Sequence, residues 1–156
     1  MTTSNAYDVI VLGGGTAGVV AAIQAGRAGA KSLLVEKTGM LGGTMTVGRV
    51  NNPGLFFAST RQVIAGIGWE MVMRCLAEAG QELPDAARDP GKPFWQRHVP
   101  VDRFLLPMLL VEVTLSKSPV LINFFDFLPA GWRVKHRPIC CLRVVTISGV
   151  PVVIPN

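Results

Sequence analysis

Three glycines near the start of the chain follow a short apolar run that extends from Val9 to Leu12. They are Gly13, Gly15 and Gly18. In this spacing the first glycine allows a sharp turn off a strand and the second lets the backbone approach a pyrophosphate. The third lets a helix pack closely on the sheet, while the helix N-terminus offers N–H groups to phosphates. The spacing therefore predicts the phosphate-binding turn of a dinucleotide site.

A carboxylate completes this pattern, because a second apolar run ends on Glu36. At the end of a second strand, such a carboxylate can accept hydrogen bonds from both hydroxyls of an adenosine ribose. It would repel a 2′-phosphate, which argues against NADP, and the adjacent Lys37 does not reverse this. A glycine-rich turn in an unrelated α/β protein is the alternative, but the order and spacing favour a dinucleotide. NAD and FAD both stay open at this point.

The elements that must position these residues follow from the same segment. The pattern predicts a strand from Tyr7 to Leu12, a helix from Thr16 to Ala28 ended by Gly29, and a strand from Lys31 to Glu36. A right-handed crossover sets two such strands side by side and parallel. The predicted fold class is α/β, with a Rossmann-like βαβ unit on a parallel sheet.

A second glycine cluster follows the carboxylate. Five glycines lie between Thr38 and Ala58, including the doublet Gly42-Gly43. Backbone of this kind can approach a ligand closely, although an ordinary loop doublet is the alternative. With these residues the sequence resembles the FAD-dependent oxidoreductase superfamily, whose N-terminus combines GGGxAG, VEK and LGGT. The resemblance covers residues 6 to about 112 and is specific through Thr46.

The resemblance implies FAD as the cofactor and a set of residues around it. The pyrophosphate would be lined by Gly13, Gly14, Gly15, Thr16, Ala17 and Gly18. The adenosine end would contact Glu36 and Lys37, and the ribityl side would pass near Gly42, Gly43 and Thr44. Met45 to Arg49 would approach the isoalloxazine ring. The flavin would itself carry hydride or single electrons, and the protein would supply position and electrostatics.

Outside the glycine clusters, no side chain has a spacing typical of catalysis. His98 and His136 lack a Ser, Cys or Asp partner, and we expect them in a surface loop and in the tail. Cys75 is expected to be a small core residue. The pair Cys140-Cys141 lacks the two-residue spacer of thioredoxin-like sites. Three cysteines give neither a disulfide framework nor a metal spacing, so no metal is predicted and the catalytic residues are unknown.

Two further helices are predicted in the middle of the chain. Ser59 to Gln62 has the form of a capping box that opens a helix to Ala79, closed by Gly80. Asp102 is expected to cap a helix that runs toward Glu112 and that Pro107 would strain.

The character of the sequence changes near residue 113. Residues 1–112 hold ten basic and nine acidic residues, whereas residues 113–156 hold five basic residues and Asp126. The later part favours strands at Val120 to Phe125 and Leu142 to Ile147, and no helix is evident there. We expect an N-terminal FAD-binding region over 1–112 and an atypical segment over 113–156, incomplete relative to the family. A shifted reading frame near codon 113 and a divergent short protein are the two explanations.

Length and composition limit the class of protein. With 156 residues, 49% of them hydrophobic, the chain can form one domain with a core. We expect a cytoplasmic protein with no membrane span, with no nucleic-acid partner because its basic residues are scattered, and with an unknown small-molecule substrate. The oligomeric state is not indicated. The predicted function is the cofactor-binding portion of an FAD-dependent oxidoreductase; a nucleotide-binding fragment without turnover and an NAD-binding domain are the alternatives.

Overall fold

The computed structural model describes residues 6–116, 120–124, 134–139, 142–147 and 150–155. Within these ranges the chain forms both helices and strands, and it begins with a strand, a helix and a second strand, as expected for an α/β protein. The elements are β1 (Val9–Leu12), α1 (Thr16–Arg27), β2 (Ser32–Glu36), β3 (Phe57–Ala58), β4 (Arg61–Gln62), α2 (Ile67–Glu78), α3 (Leu105–Ser116), β5 (Val120–Phe124), β6 (Val134–Ile139), β7 (Leu142–Ile147) and β8 (Val150–Pro155).

The described strands form a main sheet with the order β5-β2-β1-β8-β7-β6. Strands β5, β2, β1 and β8 run parallel to one another, whereas β6, β7 and β8 are joined in antiparallel pairs. In the register of β1 against β2, Leu12 lies opposite Val35. The turn after β1 and the end of β2 therefore meet at one edge of the sheet. The predicted strands near Val120 and Leu142 are confirmed as β5 and β7.

The predicted βαβ unit is confirmed. Helix α1 turns one stripe of small and branched residues toward the sheet and buries Gly18, Val19, Ala22, Ile23 and Gly26. This spacing is the helical period, which places these residues on one face. Gly29 follows the helix with a φ of +87°, a conformation that glycine adopts without strain.

The predicted capping box at Ser59 is wrong. Strands β3 and β4 pair as a short antiparallel hairpin around it, and Ser59 itself has a left-handed φ of +54°. Helix α2 begins later, after Gly66. The buried Phe57 packs edge-on against the Trp69 ring of α2, with ring centroids 5.7 Å apart, so a long-range contact outweighs the local signal. The predicted end is confirmed, since Ala79 caps the helix.

The predicted cap at Asp102 is confirmed. Its Oδ1 accepts hydrogen bonds from the backbone N–H groups of Phe104 (2.7 Å) and Leu105 (2.9 Å). Pro107 does not prevent the predicted helix, because α3 runs from Leu105 to Ser116 through this residue. Helix α3 also continues past Glu112 to Ser116.

The three described helices are tied together at their surfaces and in the core. Arg27 of α1 pairs with Glu70 of α2 at 2.8 Å, and Arg74 of α2 pairs with Glu112 of α3 at 2.6 Å. Cys75 is fully buried between them, as predicted, and burial raises the pKa of its thiol. The pair Cys140-Cys141 and the side chain of His136 lie outside the described residues.

Candidate cofactor-binding site

The turn after β1 uses its three consecutive glycines for three different reasons. Gly13 has a φ of +99°, and its N–H donates to the carbonyl of Val35 at 2.8 Å. At Gly14 an added Cβ would lie 2.5 Å from Leu41 Cδ2, so the position is closed by packing. At Gly15 an added Cβ would meet no atom within 4 Å. The turn is therefore packed on one side and open at Gly15, where a pyrophosphate would approach.

The second glycine cluster lies directly against this turn. The N–H of Gly42 donates to the carbonyl of Gly14 at 2.8 Å, and Gly15 and Gly42 form a parallel bridge. A Cβ on Gly43 would lie 3.0 Å from the Cα of Gly15, and the hydroxyl of Thr16 donates to the Gly42 carbonyl at 3.3 Å. The two clusters thus form one backbone surface, although they are far apart in sequence.

The N-terminus of α1 opens at the same place. Its N-cap is Gly15, which makes no side-chain capping bond, and its first turn holds no acidic residue. Thr16 and Ala17 are exposed there. A helix start of this kind leaves N–H groups and a partial positive charge for an anion. The geometry fits a pyrophosphate.

Glu36 ends β2 beside this turn and is only 6% exposed. Its Oε2 accepts from the Gly14 N–H at 2.5 Å, and its Oε1 accepts from both the N–H and the hydroxyl of Thr38 at 2.7 Å each. Burial raises the pKa of this carboxyl, but the bonds from Thr38 and Gly14 outweigh burial and leave the pKa below its ordinary value. The carboxylate is therefore ionised at neutral pH.

The acceptor capacity of Glu36 limits how a ribose can bind. Each carboxylate oxygen has about two acceptor positions, so Oε1 is fully used and Oε2 keeps one. The Thr38 hydroxyl also lies 3.0 Å from the carbonyl of Met40, a second acceptor to which its proton can turn. Rotation of the Thr38 hydroxyl toward Met40 would free the acceptor position on Oε1 that a second ribose hydroxyl needs. Thr38 was not predicted as part of this site, although Thr side chains often make such local hydrogen bonds.

The structure thus brings together the glycine turn, the start of α1, Glu36 and the Gly42-Gly43 doublet. Lys37 and Thr44 are exposed beside them, whereas Gly18 is buried against the sheet. The packing role of Gly18 is therefore visible, and its predicted contact with a phosphate stays a prediction. The approach of Met45 to Arg49 to a flavin ring also stays a prediction.

His98 lies in a loop, as predicted, but its ring is half-buried. It packs edge-on against the ring of Phe94 with centroids 4.4 Å apart, and Asn52 contacts its Nδ1. Among the described residues, no cluster of His, Cys, Asp and Glu could hold a metal ion. The described helices also include none that is long and apolar enough to cross a membrane.

A βαβ unit with a glycine turn, an open helix start and a carboxylate at the end of β2 defines a dinucleotide-binding protein of the α/β class. A sequence model of the FAD dependent oxidoreductase family matches residues 8–117. The chain belongs to this family, and its cofactor is FAD. The alternative of an NAD-binding domain is thereby set aside.

Named relatives match over about a third of this chain. The chain is 50% identical over 56 residues to a dihydrolipoyl dehydrogenase of Trypanosoma brucei brucei, which covers 35% of this chain and 12% of that protein. It is 46% identical over 57 residues to a leghemoglobin reductase of Glycine max, with coverage of 36% and 11%. The matched segment is therefore only a small part of these relatives.

The crystal structure of THI4 from Thermovibrio ammonificans is similar over 96% of this chain and 54% of that chain. The TM-score is 0.47 at 17% sequence identity.

Proposed function

We propose that this chain holds the ADP half of FAD for a flavin-dependent oxidoreductase. One observation carries the proposal, namely the contact of Gly14 and Gly15 with Gly42 and Gly43 beside the Glu36 carboxylate. When bound, FAD supplies the hydride or electron transfer. The substrate is unknown, and we propose that it is a small molecule.

Each part of the site has a distinct task in this proposal. The N–H groups at the start of α1 bind the pyrophosphate, because the helix offers partial positive charge there. The open face of Gly15 lets the phosphates reach the backbone. Glu36 accepts hydrogen bonds from the adenosine ribose. Its lowered pKa keeps it ionised at neutral pH, as suits an acceptor. The Gly42-Gly43 doublet forms the second wall of backbone without side chains.

The substitution Gly15→Ala tests the site without disturbing the fold. Gly15 has a φ of −64° and a ψ of 177°, which alanine adopts readily, and its Cβ would meet no atom within 4 Å. We expect unchanged stability but at least about tenfold weaker ADP binding, because the methyl group occupies the path of the pyrophosphate. Isothermal titration calorimetry with ADP measures the effect.

Gly68→Ala is the control for the added methyl group, since its Cβ also meets no atom within 4 Å and it lies in α2 rather than in the glycine turn. Equal ADP affinity of the Gly15→Ala variant and the unchanged chain would contradict the proposed site. For the flavin itself, the chain is saturated with FAD and desalted, and its visible spectrum is recorded. Retained bands of oxidised flavin support the proposal.

A nucleotide-binding module without turnover is the second candidate. It is supported by the site itself, since the contacts of the glycine turn with Glu36 and Gly42 need only a nucleotide as ligand. A colourless chain that binds ADP in the same titration supports this candidate over the first. Under either candidate the glycine turn and Glu36 have the same role.

Two further features of the chain are proposed. The cytoplasm is its compartment, which is supported by Cys75, a free thiol in the described part of the chain. Residues 113–156 are a segment of different origin, although α3 crosses residue 113 and the family match continues to residue 117. Cell fractionation tests the first proposal. The DNA sequence around codon 113 tests the second, which fails if no one-base shift gives a family-like continuation.

A further inference from the structure

A separate pocket of about 220 Å³ lies behind the Gly42-Gly43 doublet. Its lining consists of Met40, Thr46, Arg49, Arg103 and Phe104. Two of these five side chains are guanidinium groups and none is acidic. The pocket is therefore a place of concentrated positive charge with apolar neighbours.

Arg49 is placed at this pocket by a fixed loop. Its backbone has a left-handed φ of +57°, which is uncommon for a residue with a side chain and needs support from its surroundings. The support comes from two backbone bonds, Arg49 N–H to the Thr46 carbonyl at 3.1 Å and Val50 N–H to the Thr44 carbonyl at 3.0 Å. Thr46 is buried, and its hydroxyl donates to the Leu41 carbonyl at 2.6 Å.

Arg103 supplies the second charge. Its guanidinium lies 5.3 Å from the centre of the Phe104 ring. The neighbouring Asp102 directs its carboxylate to the N–H groups of Phe104 and Leu105, so this acid is engaged in capping α3. In the described part of the chain, the ion pairs join Arg27 to Glu70 and Arg74 to Glu112, and neither Arg49 nor Arg103 takes part in one.

Two other side chains of the lining are apolar and open to a ligand. Phe104 is 73% exposed and Met40 is 41% exposed, both high values for large apolar side chains. A ligand for this pocket therefore gains from an apolar body as well as from a negative charge.

We propose that Arg49 and Arg103 bind a small carboxylate with an apolar body in this pocket. Guanidinium groups hold carboxylates through paired, charge-assisted hydrogen bonds, and Phe104 and Met40 cover the apolar part. The pocket is distinct from the pyrophosphate site. The backbone of Gly42 contacts Gly14. The side chain of Thr46 packs against the Cα of Gly42 and lines the pocket. This site goes beyond the proposed binding of the ADP half, although Thr46 and Arg49 belong to the segment that is predicted to approach the flavin ring.

The test uses the full chain and benzoate as the probe, at constant ionic strength, by calorimetry or by NMR titration. We expect saturable benzoate binding, with benzyl alcohol and inorganic phosphate both binding more weakly. Arg49→Gln and Arg103→Gln should each weaken benzoate binding about tenfold or more, the size expected for losing charge-assisted hydrogen bonds. Arg49→Gly should weaken it equally while keeping the fold, because glycine suits the left-handed backbone.

Arg61→Gln is the control, since it removes the same charge from an exposed residue of β4 outside the pocket. An equal loss in this control would overturn the proposal, because only net charge would then matter. One-for-one competition by ADP would place the benzoate at the start of α1 and would also overturn it. Tighter binding of phosphate or benzyl alcohol than of benzoate would do the same. Benzoate binding that persists while ADP fails to bind would contradict the proposed function and leave this pocket in place.

Discussion

Glu36 makes bonds that support the fold, and we propose that it also binds the cofactor. The sequence predicts a ribose ligand at this position, but the structure also shows the carboxylate holding the Gly14 N–H and both donor groups of Thr38. These bonds orient the carboxylate, and the one from Gly14 also joins β2 to the glycine turn. Removing its charge affects both tasks.

The substitution Glu36→Gln separates these tasks. We expect ADP binding to weaken by about 1–3 kcal/mol, the scale for losing hydrogen bonds to a charged group. The ligand-free chain should also be less stable, because the amide nitrogen must face an N–H donor of Gly14 or Thr38. Urea unfolding and ADP titration measure the two effects. Glu82→Gln is the exposed control, and unchanged stability in Glu36→Gln would show that these bonds matter little to the fold.

Stability should also depend on pH through Glu36. The folded pKa lies below the ordinary value of 4.5, so the carboxylate contributes stability that is fully present above the unfolded pKa. This stability is lost as the pH falls through the folded pKa. The pKa of Asp102 is also lowered by the N–H groups that it caps, so it acts in the same direction. Acid unfolding of the unchanged chain and of the Glu36→Gln variant is compared to isolate the contribution of Glu36. If stability falls with pH in parallel for the two chains, Glu36 does not contribute this pH-dependent stability.

Elements with a strong local pattern were predicted well, and elements set by distant contacts were not. The β1-α1-β2 unit follows from a helical period and from glycines with fixed roles. The Ser59 capping box failed because Phe57 packs against Trp69 of α2, a contact that local sequence does not reveal. For the same reason the sequence did not reveal that Thr38 binds Glu36 or that Arg49 and Arg103 share a pocket.

The start of α2 gives a paired prediction. Gly66 has a φ of +78° and a ψ of −153°, a region open to glycine alone, so Gly66→Ala should destabilise the chain by about 1–3 kcal/mol. Gly68 lies in the helix with room for a Cβ, so Gly68→Ala should stabilise it by up to about 1 kcal/mol. Urea unfolding of both variants checks this. Changes of the same sign would contradict the backbone assigned to this turn.

For the whole molecule, the main sheet depends on strands from both ends of the described chain. Strands β6 and β8 were not predicted. For β8 the reason is that its pairing with β1 joins residues very far apart in sequence, which local sequence does not reveal. Ile10 lies opposite Val152 in this pair, with β2 on the other side of β1. The sequence therefore predicted β1, β2, β5 and β7 but not β8, the strand that joins β7 to the parallel part of the sheet.

Removing residues 150–156 tests this topology. The truncated chain would leave the β8 side of β1 without a partner, and unpaired backbone in an apolar strand favours association with other chains. We expect lower stability and more light scattering at equal concentration, and alanine at the exposed Gln81 is a neutral control. A truncated chain as stable and monodisperse as the full one would show that β8 is dispensable.

The position of β1 between β2 and β8 also has a consequence for synthesis. The ribosome releases β1, α1 and β2 early, and the partner for the other edge of β1 emerges much later, with Val150–Pro155. Until then, the nascent chain displays an apolar strand with one open edge. We expect chaperones that bind extended segments to associate with the nascent chain until β8 emerges, and to leave when β8 pairs with β1.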